Sequence, residues 1–176
     1  VAITMRTPGN DFELAAGFML AEGLIGSRDD IVDVSYCPDP DDVQQFNIVN
    51  VTLAASAGFG PSMLQRNFYA ASSCGVCGKA SLEALRTYGA ATVGVSPQVK
   101  ASLIQQLPGQ LRGAQAVFQQ TGGLHATGLF PPDGELLTMR EDVGRHNALD
   151  KVIGHHMMAA NLPLSQHIAV VSGRAS

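Results

Sequence analysis

The sequence predicts an α/β protein, because segments with strand character alternate with segments of helical periodicity through the second half of the chain. Its 176 residues suffice for one domain, or for one domain with a small appendage. Hydrophobic residues make up 45% of the chain and charged residues 15%, a composition that excludes a disordered protein. We therefore expect a well-formed core beneath a surface that carries unusually little charge.

The first half of the chain predicts three strands and one helix. Asn10 is a suitable N-cap for a helix that continues to about Ile25. Apolar residues of this segment recur at spacings of three and four, as one helical face requires; they are Leu14, Phe18, Ala21 and Ile25. Runs of apolar and β-branched residues predict strands at 1–6, 31–36 and 46–53.

Further helices are predicted in the second half. A short one is expected over 79–88, and two helical segments before Gln120 are expected to break near Pro108-Gly109, since both residues disfavour a helix interior. Asp142 is a candidate N-cap for a last helix that ends near Ala160.

The strands of the second half are predicted from their turns. Residues 125–130 and 135–139 predict a β-hairpin, because Pro131-Pro132-Asp133-Gly134 between them is a strong turn signal. Residues 167–172 form one more apolar, β-branched run and predict the last strand.

The first candidate for chemistry is the motif Cys74-Gly75-Val76-Cys77-Gly78. A helix that follows it, together with Lys79, would favour the thiolate form of cysteine. Three functions fit this spacing: a redox dithiol, half of a zinc site, and a sulfur carrier that holds sulfur as a persulfide. Cys37 stands alone and is interpreted as a half-buried small apolar residue.

The chain lacks the motifs of a zinc nucleoside deaminase, which needs His- or Cys-x-Glu and Pro-Cys-x-x-Cys. No glutamate stands two residues after any histidine or cysteine, and Ser73 precedes Cys74. The sequence therefore argues against the deaminase reaction. A structural zinc site formed by Cys74, Cys77 and two distant histidines stays open without support from spacing.

A second candidate, an anion site, lies where residues 139–147 lead into the last helix. Arg145 falls in the first helical turn, where its charge opposes the helix dipole and a bound anion would offset that cost. Arg140 and His146 stand beside it, so a phosphate or nucleotide pocket is as good an interpretation as a buried histidine. The alternative is that both arginines are paired with nearby carboxylates, those of Asp142 and Asp150.

Two glycine-containing segments support the same pocket. Thr121-Gly122-Gly123 leads into the strand that begins at His125, and the glycines permit close approach of a ligand. Ser172-Gly173-Arg174 follows the last strand, and ligands of α/β sheets bind beyond strand ends. The Walker A and G-x-G-x-x-G patterns are absent from the sequence, which excludes standard P-loop and Rossmann sites.

Charge and hydropathy exclude two classes of protein, and the cysteine content indicates a cellular location. The net charge of −4 excludes a polycation that binds nucleic acid, and the longest apolar block is too short for a membrane helix. Three cysteines without a secretory signal indicate a cytoplasmic location.

The chain starts within the apolar run at Val1 and stops after Ser172-Gly173-Arg174, so we expect a piece of a longer protein.

The motifs together resemble one family, the formate dehydrogenase accessory sulfurtransferases (FdhD). Two specific stretches carry the resemblance, Cys74-Gly75-Val76-Cys77-Gly78 and the segment 141–151, which reads EDVGRHNALDK. Weaker stretches lie in family order along nearly the whole chain: Met5-Arg6-Thr7-Pro8, Ala16-Gly17-Phe18, Ala21-Glu22-Gly23-Leu24-Ile25, Gln120-Thr121-Gly122, His125-Ala126 and Ser172-Gly173-Arg174-Ala175-Ser176.

The resemblance implies a function. Such proteins take sulfur from a cysteine desulfurase and pass it to the molybdenum bis(molybdopterin guanine dinucleotide) cofactor, which then serves formate dehydrogenase. Cys74 is the implied persulfide site, with Cys77 as helper or second carrier. The cofactor is cargo, and no permanent cofactor is expected. Candidate residues for binding its nucleotides are Thr121, Gly122, His125, Arg140, Asp142, Arg145, His146, Ser172, Gly173 and Arg174.

The resemblance also implies a fold, a cytidine-deaminase-like α/β sandwich core with a small N-terminal α+β subdomain and no zinc chemistry. The implied divisions are 1–70 for the subdomain, 71–90 for the CxxC loop and its helix, and 91–176 for the core. The resemblance implies that the family continues beyond Ser-Gly-Arg with a helix, strands and a basic segment, a part that we expect to be missing from this sequence. A homodimer is expected, because the family tends to dimerise.

Overall fold

The computed structural model describes residues 2–37, 46–57 and 97–173. Its elements in chain order are α1 (Asp11–Ala21), a short 3-10 helix (Arg28–Asp30), β1 (Ile31–Tyr36), β2 (Val49–Leu53), α2 (Ala101–Ala114), α3 (Ala116–Thr121), β3 (His125–Phe130), β4 (Thr138–Asp142), α4 (Arg145–Met158) and β5 (Ile168–Val171). Helices thus combine with antiparallel sheets, and the predicted α/β class is confirmed. The divisions at 1–70, 71–90 and 91–176 stay predictions, and the helix expected over 79–88 lies outside the described residues.

A three-stranded antiparallel sheet in the order β4-β3-β5 supports the second half of the chain. Thr127 of the central strand pairs with Arg140 on one side and with Val171 on the other. Because β3 and β5 run in opposite directions, the start of β3 at His125 lies beside the end of β5. β1 and β2 form a separate antiparallel pair, in which Val34 faces Val51.

Helices α1 and α4 cross in direct backbone contact. A Cβ atom added to Gly17 would overlap the carbonyl oxygen of Asp150, and one added to Gly154 would overlap that of Glu13. Neither glycine has a backbone conformation that only glycine adopts. Glycine is required at both positions because the crossing leaves no space for a side chain. The contact fixes the position of α4 relative to the N-terminal helix.

Two clusters of buried apolar side chains flank this crossing. One joins the helix pair to the β1–β2 pair and contains Ala16, Ile25, Ile31 and Met157. The other lies between α2 and the three-stranded sheet and contains Leu107, Leu111, Ala126 and Phe130. None of the helices in the described part of the chain has both the length and the apolar character of a membrane span.

Helix α1 ends earlier than its apolar spacing predicts. Gly23 adopts a left-handed backbone with φ of 68°, and its amide donates to the carbonyl of Leu20. The next amide, of Leu24, donates to Met19, which completes a Schellman motif and ends the helix at Ala21 instead of Ile25. Asn10 does precede the helix, but its side chain makes no capping hydrogen bond.

Helix α2 passes through Pro108, so the predicted break there is wrong. An interior proline costs about 3 kcal/mol. Leu107 and Leu111, on either side, are 1% and 3% exposed, and burying a leucine contributes about 1.5–3 kcal/mol. Packing against the sheet therefore offsets the cost of the proline, and the break moves to Gln115.

Three further boundaries differ from the predictions. β4 runs over Thr138–Asp142, and α4 begins at Arg145 after Gly144, so Asp142 ends a strand instead of capping a helix. The predicted first strand is reduced, within residues 2–6, to an isolated bridge at Ile3. Within this segment the carbonyl of Met5 accepts a hydrogen bond from the side chain of Asn147, in the first turn of α4.

The Gly154→Ala substitution should strongly destabilise the protein, because its methyl group would meet backbone atoms that no rotamer change can move. We expect a loss of about 3 kcal/mol or more in the free energy of unfolding, measured by urea denaturation. Gly109→Ala is the matched control, since nothing within 4 Å meets a Cβ there and alanine favours the helix. Equal stability of the two variants would contradict the close crossing.

Candidate functional site

The candidate site lies where the start of β3, the end of β5 and the start of α4 meet. Ser172 accepts the amide of Ala126 on its Oγ at 2.8 Å, and its own amide donates to the Ala126 carbonyl at 2.9 Å. The same Oγ lies 3.5 Å from Nδ1 of His125. A Cβ on Gly173 would lie 3.3 Å from both His125 Nδ1 and Arg145 Cδ. The structure thus brings together four of the predicted residues, and any side chain at position 173 would crowd both His125 and Arg145.

Arg145 carries a buried donor without an acceptor. Its Nε is shielded from solvent and has no hydrogen-bond partner among the described residues. A buried unsatisfied donor costs about 1–3 kcal/mol. The residue also stands in the first turn of α4, whose leading amides have no acceptor within a helix. A bound anion would satisfy the guanidinium and the helix terminus together.

His146 follows Arg145 on the exposed side of the helix start. Partial burial and the neighbouring Arg145 charge lower the pKa of its imidazole, so the neutral form prevails at pH 7. The imidazole of His146 therefore adds no second positive charge at the start of α4.

Most other residues of the 141–151 segment have structural partners. The carboxylate of Glu141 accepts the amides of Val117 and Phe118 at 3.0 and 2.8 Å, and so caps the start of α3. Asp150 packs its backbone against Gly17 at the helix crossing. Within this segment, Arg145 is the residue whose side chain is left with an unsatisfied buried donor.

Asp142, predicted as a cofactor-binding residue, is a fully buried hub of the scaffold. Its two oxygens accept four hydrogen bonds at 2.7–3.0 Å, which come from Thr7, Gly144, Asn147 and Lys151. The Lys151 ammonium lies 2.7 Å away, and the two side chains are 2% and 0% exposed. Every oxygen of the carboxylate is thus occupied within the protein.

Arg140, also predicted to bind the cofactor, is held by α1. Its guanidinium makes a bidentate pair with Glu13 at 2.6 and 2.8 Å, and its Nη2 lies 3.1 Å from Nδ1 of His155. Burial favours the neutral acid at Glu13, but the hydrogen bonds from Arg140 and His155 outweigh it and lower its pKa. The partner of Arg140 is therefore a carboxylate 127 residues away, not the nearby Asp142 or Asp150.

Thr121 and Gly122 end helix α3 a few residues before His125. The Thr121 hydroxyl donates to the Val117 carbonyl at 2.9 Å. Gly122 has a left-handed φ of 69°, and its amide donates to Phe118. These contacts show that Thr121 and Gly122 form the C-terminal end of α3. The structure places neither residue in direct contact with Arg145 or Gly173.

The remaining predicted site residues, Cys74, Cys77 and Arg174, lie outside the described residues. Cys37 lies within them, half-buried and with a free thiol. Within residues 2–37, 46–57 and 97–173, no cluster of three or more His, Cys, Asp or Glu side chains is arranged to hold a metal.

Sequence reasoning missed the residues that position the site from the N-terminal segment. Thr7 donates its amide to Asp142 at 3.0 Å and accepts the amide of Val143 on its hydroxyl at 3.0 Å. The Asn147 side chain donates to the carbonyl of Met5 at 2.8 Å. Thr7, Asn147 and Lys151 all stand within the family-like stretches, which was the available signal for their importance.

Replacing Lys151 by methionine should leave Asp142 as an unpaired buried charge. We expect a loss of about 3–5 kcal/mol in the free energy of unfolding at pH 7, measured by chemical denaturation. Lys100→Met is the control, since Lys100 is exposed and its loss should change stability by well under 1 kcal/mol. A Lys151→Met protein as stable as this control would show that the ion pair is not formed.

Asp150 should make the stability depend on pH. Burial, with Glu22 and Asp142 nearby, raises the pKa of its carboxyl from 3.8 to about 7. The folded state therefore binds a proton more tightly than the unfolded state, and this contribution to stability is lost as the pH rises from about 4 through 7. A shift of that size corresponds to at most about 4 kcal/mol.

The Asp150→Asn substitution isolates this effect, because asparagine has the same shape and does not titrate. The free energy of unfolding of the wild type should fall relative to the variant between pH 5 and pH 8, measured in urea at each pH. Parallel stability profiles of the two proteins would contradict the raised pKa.

Comparisons with known proteins agree with this architecture. The sequence matches the family model of the FdhD/NarQ family over residues 1–176. A protein named sulfur carrier protein FdhD from Mycolicibacterium paratuberculosis is 53% identical to the whole chain, which covers 66% of that protein. A protein of the same name from Streptomyces avermitilis is 49% identical over the whole chain and 64% of its own length.

A solved structure shares the fold. It is the crystal structure of a protein described as a formate dehydrogenase accessory protein from Desulfotalea psychrophila, with a TM-score of 0.63 and 21% identity. The match covers 97% of this chain and 57% of that one. This chain spans about two thirds, 64–66%, of the length of the curated relatives above. On the match that extends over all of its residues, the chain belongs to the FdhD/NarQ family.

Proposed function

We propose that the chain is a sulfur carrier that passes sulfur to a molybdenum cofactor for formate dehydrogenase. The observation that carries this proposal is the name of the relatives, sulfur carrier protein FdhD, at 53% and 49% identity over the whole chain. The sequence motif Cys74-Gly75-Val76-Cys77-Gly78 supplies the thiols that this function requires.

The chemistry assigned to the cysteines is sulfur exchange. The Cys74 thiolate attacks the outer sulfur of a persulfide on the donor, a cysteine desulfurase, and the donor leaves as a thiolate. Sulfide is released when the Cys77 thiolate attacks the inner sulfur of the Cys74 persulfide, which forms a Cys74–Cys77 disulfide. Two electrons from the thiols thereby reduce the transferred sulfur, and a reductant must later reopen the disulfide.

The cargo is proposed to be the molybdenum bis(molybdopterin guanine dinucleotide) cofactor, bound as a substrate. We place its phosphates at the side chain of Arg145, because the buried Nε of Arg145 has no acceptor among the described residues. The first-turn amides of α4 add hydrogen-bond donors suited to a phosphate. Arg174, which follows Gly173 in the chain, would add a further positive charge.

The partners of this function are proposed to be a cysteine desulfurase, formate dehydrogenase and a second copy of the chain. Exposed apolar side chains near the site support protein contacts: Met5 is 83% exposed and Val143 is 44% exposed. We also propose a cytoplasmic location, where free thiols stay reduced.

Incubation with a cysteine desulfurase and cysteine should add one sulfur to the peptide that contains Cys74, detected by mass spectrometry. Cys74→Ala should abolish this labelling, and Cys37→Ala, the matched control, should retain it. Undiminished labelling of Cys74→Ala would contradict the assignment, and tightly bound stoichiometric zinc in the reduced protein would favour a metal-binding module.

The cargo site predicts that Arg145→Gln weakens the binding of GDP, used as a probe for the guanine nucleotide. The loss of charged hydrogen bonds should lower the affinity by about tenfold or more in isothermal titration calorimetry. Arg112→Gln is the control, since Arg112 is an exposed arginine of α2 that lies over the Phe118 ring. A loss of affinity in Arg112→Gln alone would place the nucleotide beside Arg112 and Phe118, between α2 and α3.

A further inference from the structure

Thr7 uses every polar group it has to hold the segment that leads into α4. Its amide donates to Oδ2 of Asp142 at 3.0 Å, and its hydroxyl accepts the amide of Val143 at 3.0 Å. Its carbonyl accepts the Lys151 ammonium at 2.8 Å. One half-buried threonine thus contacts the end of β4, the loop that follows and the body of α4.

These bonds decide which amides remain available at the helix start. The amide of Val143 is occupied by Thr7, and the amide of Gly144 donates to Oδ1 of Asp142 at 2.9 Å. The loop before α4 therefore directs its amides into the protein. The side chain of Arg145, in the first turn of α4, lies beside Gly173 instead.

We propose that Thr7 is a positioning residue for the anion site at the start of α4. The proposal rests on the proposed function, which places phosphates of the cargo beside Arg145. Thr7 acts through the Val143 peptide: its hydroxyl sets the orientation of that peptide, and the orientation sets the direction in which the first turn of α4 begins. The structure shows no contact of Thr7 with His125, Arg145 or Gly173, so it is not itself assigned to the ligand.

The hydroxyl can be removed without disturbing the other two bonds. Thr7→Val keeps the side-chain shape and both backbone hydrogen bonds, and it loses only the acceptor of the Val143 amide. Thr7→Ser keeps the acceptor and loses a methyl group. Because Val143 is 44% exposed, water can satisfy its freed amide, and Thr7→Val should fold.

The matched control is Thr138→Val. Thr138 also carries a buried hydroxyl, which lies 3.0 Å from Nε2 of His156 near the other end of α4. The substitution is chemically the same and should cost stability, but it leaves the start of the helix untouched. Comparing the two variants separates a local effect on binding from a general loss of stability.

The experiment is a calorimetric titration of each protein with GDP, with the urea midpoint of each recorded. Thr7→Val should bind GDP roughly fivefold more weakly than the wild type, the equivalent of one lost hydrogen bond, whereas Thr7→Ser and Thr138→Val should stay within about twofold. Unchanged affinity in Thr7→Val, or equal weakening in Thr7→Ser or in Thr138→Val, overturns the positioning role.

The GDP titrations of these variants also distinguish a failure of the Thr7 proposal from a failure of the anion-site proposal. If Arg145→Gln weakens GDP binding and Thr7→Val does not, the positioning role alone is wrong. If the wild type does not bind GDP, or Arg145→Gln binds it as well as the wild type, the anion site is wrong and the role of Thr7 falls with it. Persulfide labelling of Cys74 tests the sulfur-carrier function independently of both.

Discussion

The buried carboxylate of Asp142 is the interaction on which the rest of the site depends. It is 0% exposed, and its oxygens accept hydrogen bonds from four residues in three segments: Thr7 before α1, Gly144 in the loop, and Asn147 and Lys151 in α4. A charge in such a position is stable only while it is fully paired, since desolvation otherwise disfavours it strongly. The N-terminal segment, the β4–α4 loop and the start of α4 therefore form one unit.

Two further constraints hold this unit on the sheet. The glycine crossing of α1 and α4 leaves no space for a side chain, so the two helices have one closely defined separation. The Arg140–Glu13 pair then joins β4 to α1 at 2.6 Å. The side chain of Arg145, whose Nε has no partner among the described residues, then lies beside Gly173.

Local sequence patterns predicted the elements whose structure is decided locally. β1 and β3 begin and end as predicted, because β-branched runs and a strong turn define them. Predictions failed where tertiary contacts decide. The path of α2 through Pro108 depends on leucines buried against a distant sheet, and the end of α1 depends on the conformation of Gly23. The spacing of apolar residues along the sequence predicts neither the packing of α2 on the sheet nor the conformation of Gly23.

The site shows the same division. His125, Arg145, Ser172 and Gly173 were predicted together because they stand at the ends of elements, and the structure places them next to one another. Arg140 and Asp142 gave the same sequence signal, a charge near a helix start, yet Arg140 pairs with Glu13, 127 positions away, and Asp142 is held by Thr7, 135 positions away, together with Gly144, Asn147 and Lys151. Only the three-dimensional structure separates charges that are paired within the fold from the Nε of Arg145, which has no partner among the described residues.

The most direct test of this account is a crystal structure of the chain with GDP bound. The account predicts a phosphate oxygen within hydrogen-bonding distance of the Arg145 side chain at the start of α4, with the bonds between Thr7, Asp142 and Lys151 intact. Phosphates bound to Arg112 between α2 and α3, with Arg145 still unsatisfied, would contradict it.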